Sequence, residues 1–281
     1  MCLAQIFTKR ELSGYLLTPE RMLQDQYESS LSSVFPDFKC PSLKGKSNYT
    51  CDLNQKPVTR GLCSSHGYLK PTECELFEQC EYFRLRFDAA GSSACILNTQ
   101  LWLTLRNHPI LMEHFESRDF TIFDEAHNLD ATIYDFYSPI LTKKDITTIE
   151  DTERWCFERD LTYNFPKNFK SLFYEKTTED KYLFIINRLR RTAEKLIELK
   201  AQQVAKKILG EFSKIVDPFI FFDDFIVSRD TMNEDSLILS QGQDSIKFYW
   251  SNPQAYIGKF FRGKSNFRVY MSATLGSYAD C

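Results

Sequence analysis

The stretch Phe120-Thr121-Ile122-Phe123-Asp124-Glu125-Ala126-His127 decides the fold. Its first four residues form a short continuous apolar run, which is typical of a parallel β-strand buried on both faces. Such strands occur in α/β proteins, and ligands bind in the crevice at their carboxyl ends. The stretch therefore predicts an α/β fold with a polar site directly after residue 123.

The acidic pair after this strand is placed for phosphate chemistry. In P-loop NTPases an Asp at this position helps to hold Mg²⁺, and a neighbouring polar residue orients the attacking water. We therefore expect Asp124 to bind Mg²⁺ through water and Glu125 to position or activate the water. His127 would connect the nucleotide site to other motifs. The alternative is that the pair only caps a surface helix, because acidic side chains stabilise a helix N-terminus.

A second apolar strand candidate begins at residue 267 and ends in small hydroxyl residues. Ser272-Ala273-Thr274 follows it, and hydroxyl groups at a strand end can hydrogen-bond to a neighbouring acidic motif and respond to its state. We expect Ser272 and Thr274 to act in this way. A plain strand-end turn is the alternative.

The composition is that of an ordinary globular protein. The 281 residues are 43% hydrophobic, and 35 basic against 38 acidic side chains give a net charge of −3, which excludes a disordered or collagen-like chain. No apolar run reaches the roughly 20 residues that cross a bilayer. Lys9, Arg10 and Glu11 interrupt the place where a signal peptide needs its apolar centre. We expect an intracellular protein, cytoplasmic or in the nucleoid or nucleus, without a membrane partner.

The cysteines do not fit an ordinary composition. There are nine, and five of them lie between positions 40 and 80. An odd total without an export signal favours thiolates that serve a metal or cluster over disulfides. Because residues 36–80 also contain several prolines and glycines and little apolar periodicity, we expect a loop-rich segment held by something other than a core.

The rest of the chain predicts a simple order of elements. A strand at 15–17 precedes a helix with a start signal at 18–20, and 94–98 is a second buried strand. A helix is expected over 100–115, broken by Pro109. Residues 131 to about 240 read as a helical insertion, with nine Lys or Arg against three Glu between 181 and 216. A solvated face is the plain interpretation of this basic helix, and a DNA track is the alternative.

Taken in order, three segments resemble motifs Ia, II and III of superfamily 2 DNA helicases, namely residues 15–26, 124–127 and 272–274. Residues 44–51 and 80–84 are similar to the sequences that flank the first and last cluster cysteines of DinG/XPD-like iron–sulfur helicases. The resemblance spans almost the whole chain. It implies a partial RecA-like (P-loop NTPase) parallel-sheet domain, interrupted by a loop-rich iron–sulfur insertion and by an α-helical arch.

The implied parts follow one another along the chain. They are the first RecA-like part at 1–35, the iron–sulfur domain at 36–88, the second RecA-like part at 89–135, the arch at 136–245, and the last RecA-like part at 246–281.

The resemblance also implies a [4Fe–4S] cluster. Its ligands would be Cys51, Cys63, Cys74 and Cys80. The gaps are eleven, ten and five residues, and the second and third family cysteines are usually closer together, so Cys40 or His66 could replace Cys63. A structural zinc site is the alternative, although zinc sites usually show close C-x₂₋₄-C pairs, which this segment lacks.

The implied function is a segment of an ATP-dependent DNA helicase that uses Mg²⁺ and ATP to translocate on single-stranded DNA and unwind it, in DNA repair or replication. Single-stranded or forked DNA would be the partner. The family binds DNA along motif Ia and around the cluster, where basic grooves and stacking aromatic rings hold single strands. The candidates are Thr18, Gln24, Gln26, Tyr49, Tyr82, Arg84 and Arg86.

A Walker A loop, G-x-x-x-x-G-K-[ST], is needed to cradle the phosphates. Residues 40–47 fail the pattern because Cys40 replaces the leading glycine. Residues 258–265 match it, but they place Phe260, Phe261 and Arg262 in the loop and lie downstream of the acidic motif, so we interpret the match as chance. We expect the Walker A upstream of position 1, no ATP hydrolysis by this chain alone, and a complementary helicase fragment as a partner. The alternative is a non-catalytic iron–sulfur DNA-binding or interaction module.

Overall fold

The computed structural model of the protein describes residues 12–61, 63, 73–107, 115, 118–159, 177–199, 203–227, 237–242, 244–251 and 267–272. The chain divides into two compact units. The first unit contains the described residues up to Phe136 together with 267–272, and the second contains those from Tyr137 to 251. No helix in the described residues is long and apolar enough to span a membrane.

The regular elements of the described residues are as follows. The strands are β1 (Gly14–Thr18), β2 (Ser42–Leu43), β3 (Thr50–Cys51), β4 (Lys56–Pro57), β5 (Ala94–Asn98), β6 (Phe120–Phe123), β7 (Ile140–Thr142), β8 (Leu237–Gln241), β9 (Ser245–Trp250) and β10 (Phe267–Tyr270). The helices are α1 (Arg21–Val34), α2 (Glu81–Gly91), α3 (Thr99–Asn107), α4 (Leu129–Tyr137), α5 (Lys143–Phe157), α6 (Thr178–Glu198) and α7 (Gln203–Val227).

A five-stranded sheet in the order β10-β6-β1-β5-β2 forms the centre of the first unit. All of its pairings are parallel, and β1 lies between β5 and β6. Leu17 on β1 and Ile96 on β5 have no solvent exposure, and all four residues of β6 are buried, as expected for strands covered on both faces. The predicted α/β fold with a partial RecA-like parallel sheet is confirmed.

The start of β1 fits closely against β6. A Cβ atom added to Gly14 would lie 2.0 Å from the ring of Phe120, its register partner, so only glycine fits this position without a shift of the ring. Ser13 and Asp119 directly precede these two strands. The carboxylate of Asp119 accepts hydrogen bonds from the backbone N–H of Ser13 at 2.8 Å and from the Ser13 hydroxyl at 3.0 Å. These contacts fix the register of the two strands.

The cysteine-bearing segment is loop-rich, as predicted, but it is not separate from the main sheet. Its strand β2 pairs with β5 and becomes the sheet edge. The strands β3 and β4 form a two-residue hairpin, and the buried side chains of Tyr49, Val58 and Tyr82 give the segment a small apolar core of its own.

The second unit combines α5, α6 and α7 with an antiparallel sheet in the order β7-β9-β8. The sequence predicts a helical insertion followed by a return to the RecA-like sheet near 246. This expectation is wrong for β9, which pairs with β7 and β8 inside the second unit. The physical reason is that β7 is only three residues long and gives no periodic signal, so the partner of β9 is not visible in the sequence.

A buried ion pair joins two helices of the second unit. Arg188 on α6 donates from Nε to Oε1 of Glu153 on α5 at 2.6 Å and from Nη2 to Oε2, and Thr192 donates to the same carboxylate at 3.3 Å. Both charged side chains are nearly inaccessible to water. The basic stretch 181–216 is therefore not uniformly a solvated face. Two of its other cations, Lys195 and Lys214, form exposed pairs with glutamates on the same helix.

Candidate functional site

The turn after β6 is held by the neighbouring strands. The backbone N–H of Asp124 donates to the carbonyl of Leu17 at the end of β1, at 2.8 Å. Just beyond β10, Met271 donates its N–H to the carbonyl of Phe123 at 2.8 Å and accepts from the N–H of Ala126 at 2.9 Å. The acidic motif thus lies at the carboxyl ends of three adjacent strands, which is where open α/β sheets bind ligands.

Glu125 adopts an unusual backbone conformation. Its φ of 49° and ψ of 46° lie in the left-handed region, which non-glycine residues seldom occupy and which is found disproportionately at functional sites. A 3₁₀ turn, Ala126–Asn128, follows, and the Glu125 side chain makes no capping hydrogen bond to it. A simple helix cap therefore does not account for this residue.

The structure brings the acidic motif together with Ser272, the first hydroxyl residue after β10. Nδ1 of His127 lies 2.7 Å from Oγ of Ser272 and 3.2 Å from Oε2 of Glu125. The His127 and Glu125 side chains are each about one-third exposed, at 38% and 36%, so the group is accessible from solvent. Thr274, the other hydroxyl residue expected here, lies outside the described residues.

Tyr27 is a neighbour of this site that the sequence does not reveal. The pKa of Tyr27 is raised to about 12, first by burial, then by the charge and hydrogen bonding of the Asp124 carboxylate, and finally by the charge of Glu125. Tyr27 places a phenol from α1 beside the acidic pair.

The four predicted cluster cysteines line one pocket. Cys51 comes from β3, Cys80 directly precedes α2, and Cys63 and Cys74 lie between them in the sequence. The remaining lining is mainly apolar and includes Leu53, Val58, Leu76, Phe77 and Phe83. Cys40, the proposed substitute ligand, instead lies in a different cavity, and His66 lies outside the described residues.

The donor set of this pocket suits a thiolate-bound group. The void has a volume of about 20 Å³, and Gly61 lies beside Cys51, since a Cβ at Gly61 would be 3.4 Å from Sγ of Cys51, an ordinary van der Waals contact. No three His, Cys, Asp or Glu side chains among the described residues are close enough together to hold a single metal ion. A cubane binds each thiolate to a different iron, so its ligands stand farther apart than those of one ion. Four thiols that line one pocket are the donor set that such a cluster takes.

Two cations lie near the cysteines. The pKa of Lys46 is lowered, mainly by burial and further by the Arg86 guanidinium, whereas the thiols of Cys63 and Cys80 raise it. The ammonium of Lys46 also lies 5.6 Å from the centre of the Tyr82 ring, a cation–π contact. This region therefore provides positive charge that would stabilise thiolates.

Most of the predicted DNA-contact side chains are buried. Thr18 has no exposure and donates its hydroxyl to the carbonyl of Glu20 at 2.7 Å, while Gln24 donates to the carbonyl of Leu43 at 3.1 Å. Tyr49 and Tyr82 are also buried, and their rings contact each other at a centroid distance of 5.5 Å. These four side chains make contacts within the protein, and their role as direct DNA contacts stays a prediction.

The exposed candidates are Gln26 and Arg84, on α1 and α2. Helix α1 is anchored to the cysteine-bearing segment on one face, because Arg21 donates to Oδ1 of Asn48 at 2.7 Å and Asp25 pairs with Lys44. Both helices are thus positioned by the same short segment.

Several solved structures resemble this chain. A structure described as "XPD_Helicase" matches 98% of the chain with a TM-score of 0.50 and 12% identity, and the chain spans 57% of its length. A structure described as "Truncated XPD" matches 97% of the chain with a TM-score of 0.51 and 13% identity, and the chain spans 85% of it. No protein-family model and no curated protein matches the sequence. The chain therefore has the fold of the XPD helicase structures, the fold that the order of its motifs predicted.

Proposed function

We propose that the protein is a segment of an ATP-dependent DNA helicase, in which ATP hydrolysis drives translocation on single-stranded DNA and unwinding. The observation that carries this proposal is the contact between His127 and Ser272 at 2.7 Å, beside Glu125. It joins two motifs that lie far apart in the sequence, at the edge of the sheet where nucleotide phosphates bind in this class of fold.

Each residue of the site has a defined task in this proposal. Asp124 would hold Mg²⁺ through water, and the bound ion would supply charge that stabilises the phosphoryl oxygens. Glu125 accepts a hydrogen bond from the attacking water and orients it. His127 contacts both Glu125 and Ser272, so a movement of Glu125 would change the hydrogen bond to Ser272. Thr274 has the same coupling role as Ser272 in this proposal. The phosphate-cradling Walker A loop comes from a further polypeptide segment or from a complementary helicase fragment.

The proposal assigns a [4Fe–4S] cluster to the four-cysteine pocket. Cys51, Cys63, Cys74 and Cys80 would hold it, and its thiolate–iron bonds would staple a segment that has only a small apolar core. Lys46 and Arg86 would offset part of the negative charge of the ligated thiolates. A zinc ion on the same cysteines is the competing occupant.

Single-stranded or forked DNA is the proposed partner. Gln26 and Arg84 are exposed on the two helices that the cysteine-bearing segment positions, and they are the proposed direct contacts. An Arg on a phosphate contributes a salt-dependent attraction that does not depend on sequence. We also propose that the protein is intracellular and acts on DNA during repair or replication.

Two measurements on the purified chain test the proposal, namely DNA binding and ATP turnover. Fluorescence anisotropy with a labelled 30-nucleotide single strand should show binding that weakens as salt is raised, because phosphate contacts release counterions. ATP turnover should remain at background with the chain alone and appear, stimulated by the single strand, after a Walker A-bearing fragment is added.

Each outcome of this experiment decides something. Turnover by the chain alone would contradict the need for a further phosphate-binding segment. DNA binding with no turnover under either condition would favour a non-catalytic iron–sulfur DNA-binding or interaction module. A chain that does not bind single strands would contradict both functions.

A further inference from the structure

An open groove of about 880 Å³ lies in the first unit, next to the cysteine-bearing segment. It is lined by the last turns of α1 and α2 and by the loop that follows α1. None of its lining residues belongs to either proposed site, so what it binds is independent of the helicase proposal.

The groove is predominantly anionic. The carboxylates of Glu28, Asp37 and Asp88 line it, and Lys39 is the one cationic side chain among the lining residues. Within the described part of the chain, none of the three carboxylates takes part in an ion pair. Helices α1 and α2 both end at the groove, at Val34 and Gly91, and the carboxyl end of a helix adds partial negative charge.

Aromatic rings accompany these charges. Phe87 is 47% exposed, and Phe38 is half-buried in the same lining. The ring of Phe87 makes an edge contact with the ring of Phe77 at 5.9 Å, and Phe77 lines the four-cysteine pocket. An occupant of the groove would therefore touch an aromatic surface that is continuous with the cysteine-bearing segment.

We propose that this groove binds an arginine-bearing segment of a partner protein. A guanidinium can pair with a carboxylate through two parallel hydrogen bonds while its plane stacks on an aromatic ring, and this groove offers both groups. An ammonium makes only a point-charge contact. Nucleic acid is excluded as the occupant by the sign of the charge. The open shape and the volume suit a stretch of polypeptide.

The test uses two rhodamine-labelled peptides, one with four Arg-Leu repeats and one with four Lys-Leu repeats. Anisotropy titrations with the full chain should give a dissociation constant about five times lower for the arginine peptide, because guanidinium stacking adds to charge attraction. The double variant Asp37→Asn/Asp88→Asn should weaken binding of the arginine peptide about tenfold, and Phe87→Ala about fivefold.

A matched control separates this site from general attraction to an acidic protein. Asp151→Asn/Glu158→Gln removes the same number of negative charges from exposed positions on and directly after α5 and should change the affinity less than twofold. Equal weakening by the two double variants would overturn the proposal, and so would equal affinity for the two peptides. The Asn substitutions preserve side-chain shape, so this comparison holds even if Phe87→Ala disturbs the contact with Phe77.

Discussion

Nδ1 of His127 lies 2.7 Å from Oγ of Ser272, although the two residues are 145 positions apart in the sequence. The contact exists because β6 and β10 are adjacent parallel strands whose carboxyl ends coincide, with Phe123 paired to Tyr270. A hydrogen bond between two separate motifs is a physical means of coupling them, because displacement of either strand end changes its length.

Removal of the Ser272 hydroxyl should uncouple the two motifs. In Ser272→Ala, DNA stimulation of ATP turnover in the protein supplemented with a Walker A-bearing fragment should fall about fivefold, since one hydrogen bond contributes about 1 kcal/mol. The affinity for single-stranded DNA should stay within twofold. Ser240→Ala, which removes an exposed hydroxyl on β8, is the control. A Ser272→Ala protein with normal stimulation would show that the contact plays no part in coupling.

The four-cysteine pocket predicts a defined pattern of cluster loss. Anaerobically purified protein should be brown, with broad visible absorbance that bleaches on reduction and about four irons per chain. Substitution of Cys51, Cys63, Cys74 or Cys80 by Ser should abolish the colour. Cys40→Ser should retain it, because Cys40 lines the separate groove. A colourless protein with stoichiometric zinc would end the iron–sulfur assignment.

The strands of the main sheet could be predicted where the sequence contains an apolar run of four or five residues. Strands β5 and β6 are of this kind. The two-residue strand β2 and the three-residue β7 could not be predicted, because so few residues show no period. For the candidate site, residue types point to Asp124 and Ser272 as candidates, but only the fold shows that Tyr27 lies beside the acidic pair.

Residue type does not distinguish a DNA contact from a contact within the protein. Thr18 and Gln24 are polar, and polar residues in a DNA-binding segment suggest contact with a ligand. Their hydrogen-bonding groups are instead used within the protein, on the carbonyls of Glu20 and Leu43. A sequence does not show whether a polar side chain hydrogen-bonds within the protein or to a ligand, because either partner satisfies its hydrogen-bonding groups.

The pair of Ser13 and Asp119 predicts a pH effect on stability. Hydrogen bonds from Ser13 lower the pKa of Asp119 below its ordinary value of 3.8, so the unfolded state binds the proton more readily. The stabilisation is therefore complete above the unfolded pKa and is lost as pH falls through the folded pKa. Asp119→Asn should have a lower urea midpoint than the wild-type protein at pH 7. The difference should vanish as pH falls below the folded pKa, and a difference that persists unchanged would contradict this.

The buried pair in the second unit predicts an asymmetric stability loss. Arg188→Met leaves the Glu153 carboxylate buried without its partner and should cost about 3–5 kcal/mol. The double variant Glu153→Leu/Arg188→Met should be considerably more stable than the single one, because no charge is then left unpaired. Arg154→Met, at an exposed position on α5, should change stability by less than about 0.5 kcal/mol. Urea unfolding followed by circular dichroism measures all three, and equal losses in the single and double variants would contradict the assignment.

The central claim is that the acidic motif is a metal–nucleotide site that responds to DNA. Paramagnetic Mn²⁺ with ATP, added to isotope-labelled protein, broadens the amide resonances of nearby residues even when binding is weak. The account predicts selective broadening around Asp124, Glu125 and Ser272, its loss in Asp124→Asn, and its increase when a single-stranded oligonucleotide is present. Broadening that is distributed elsewhere, or that is unchanged in Asp124→Asn, would contradict the account.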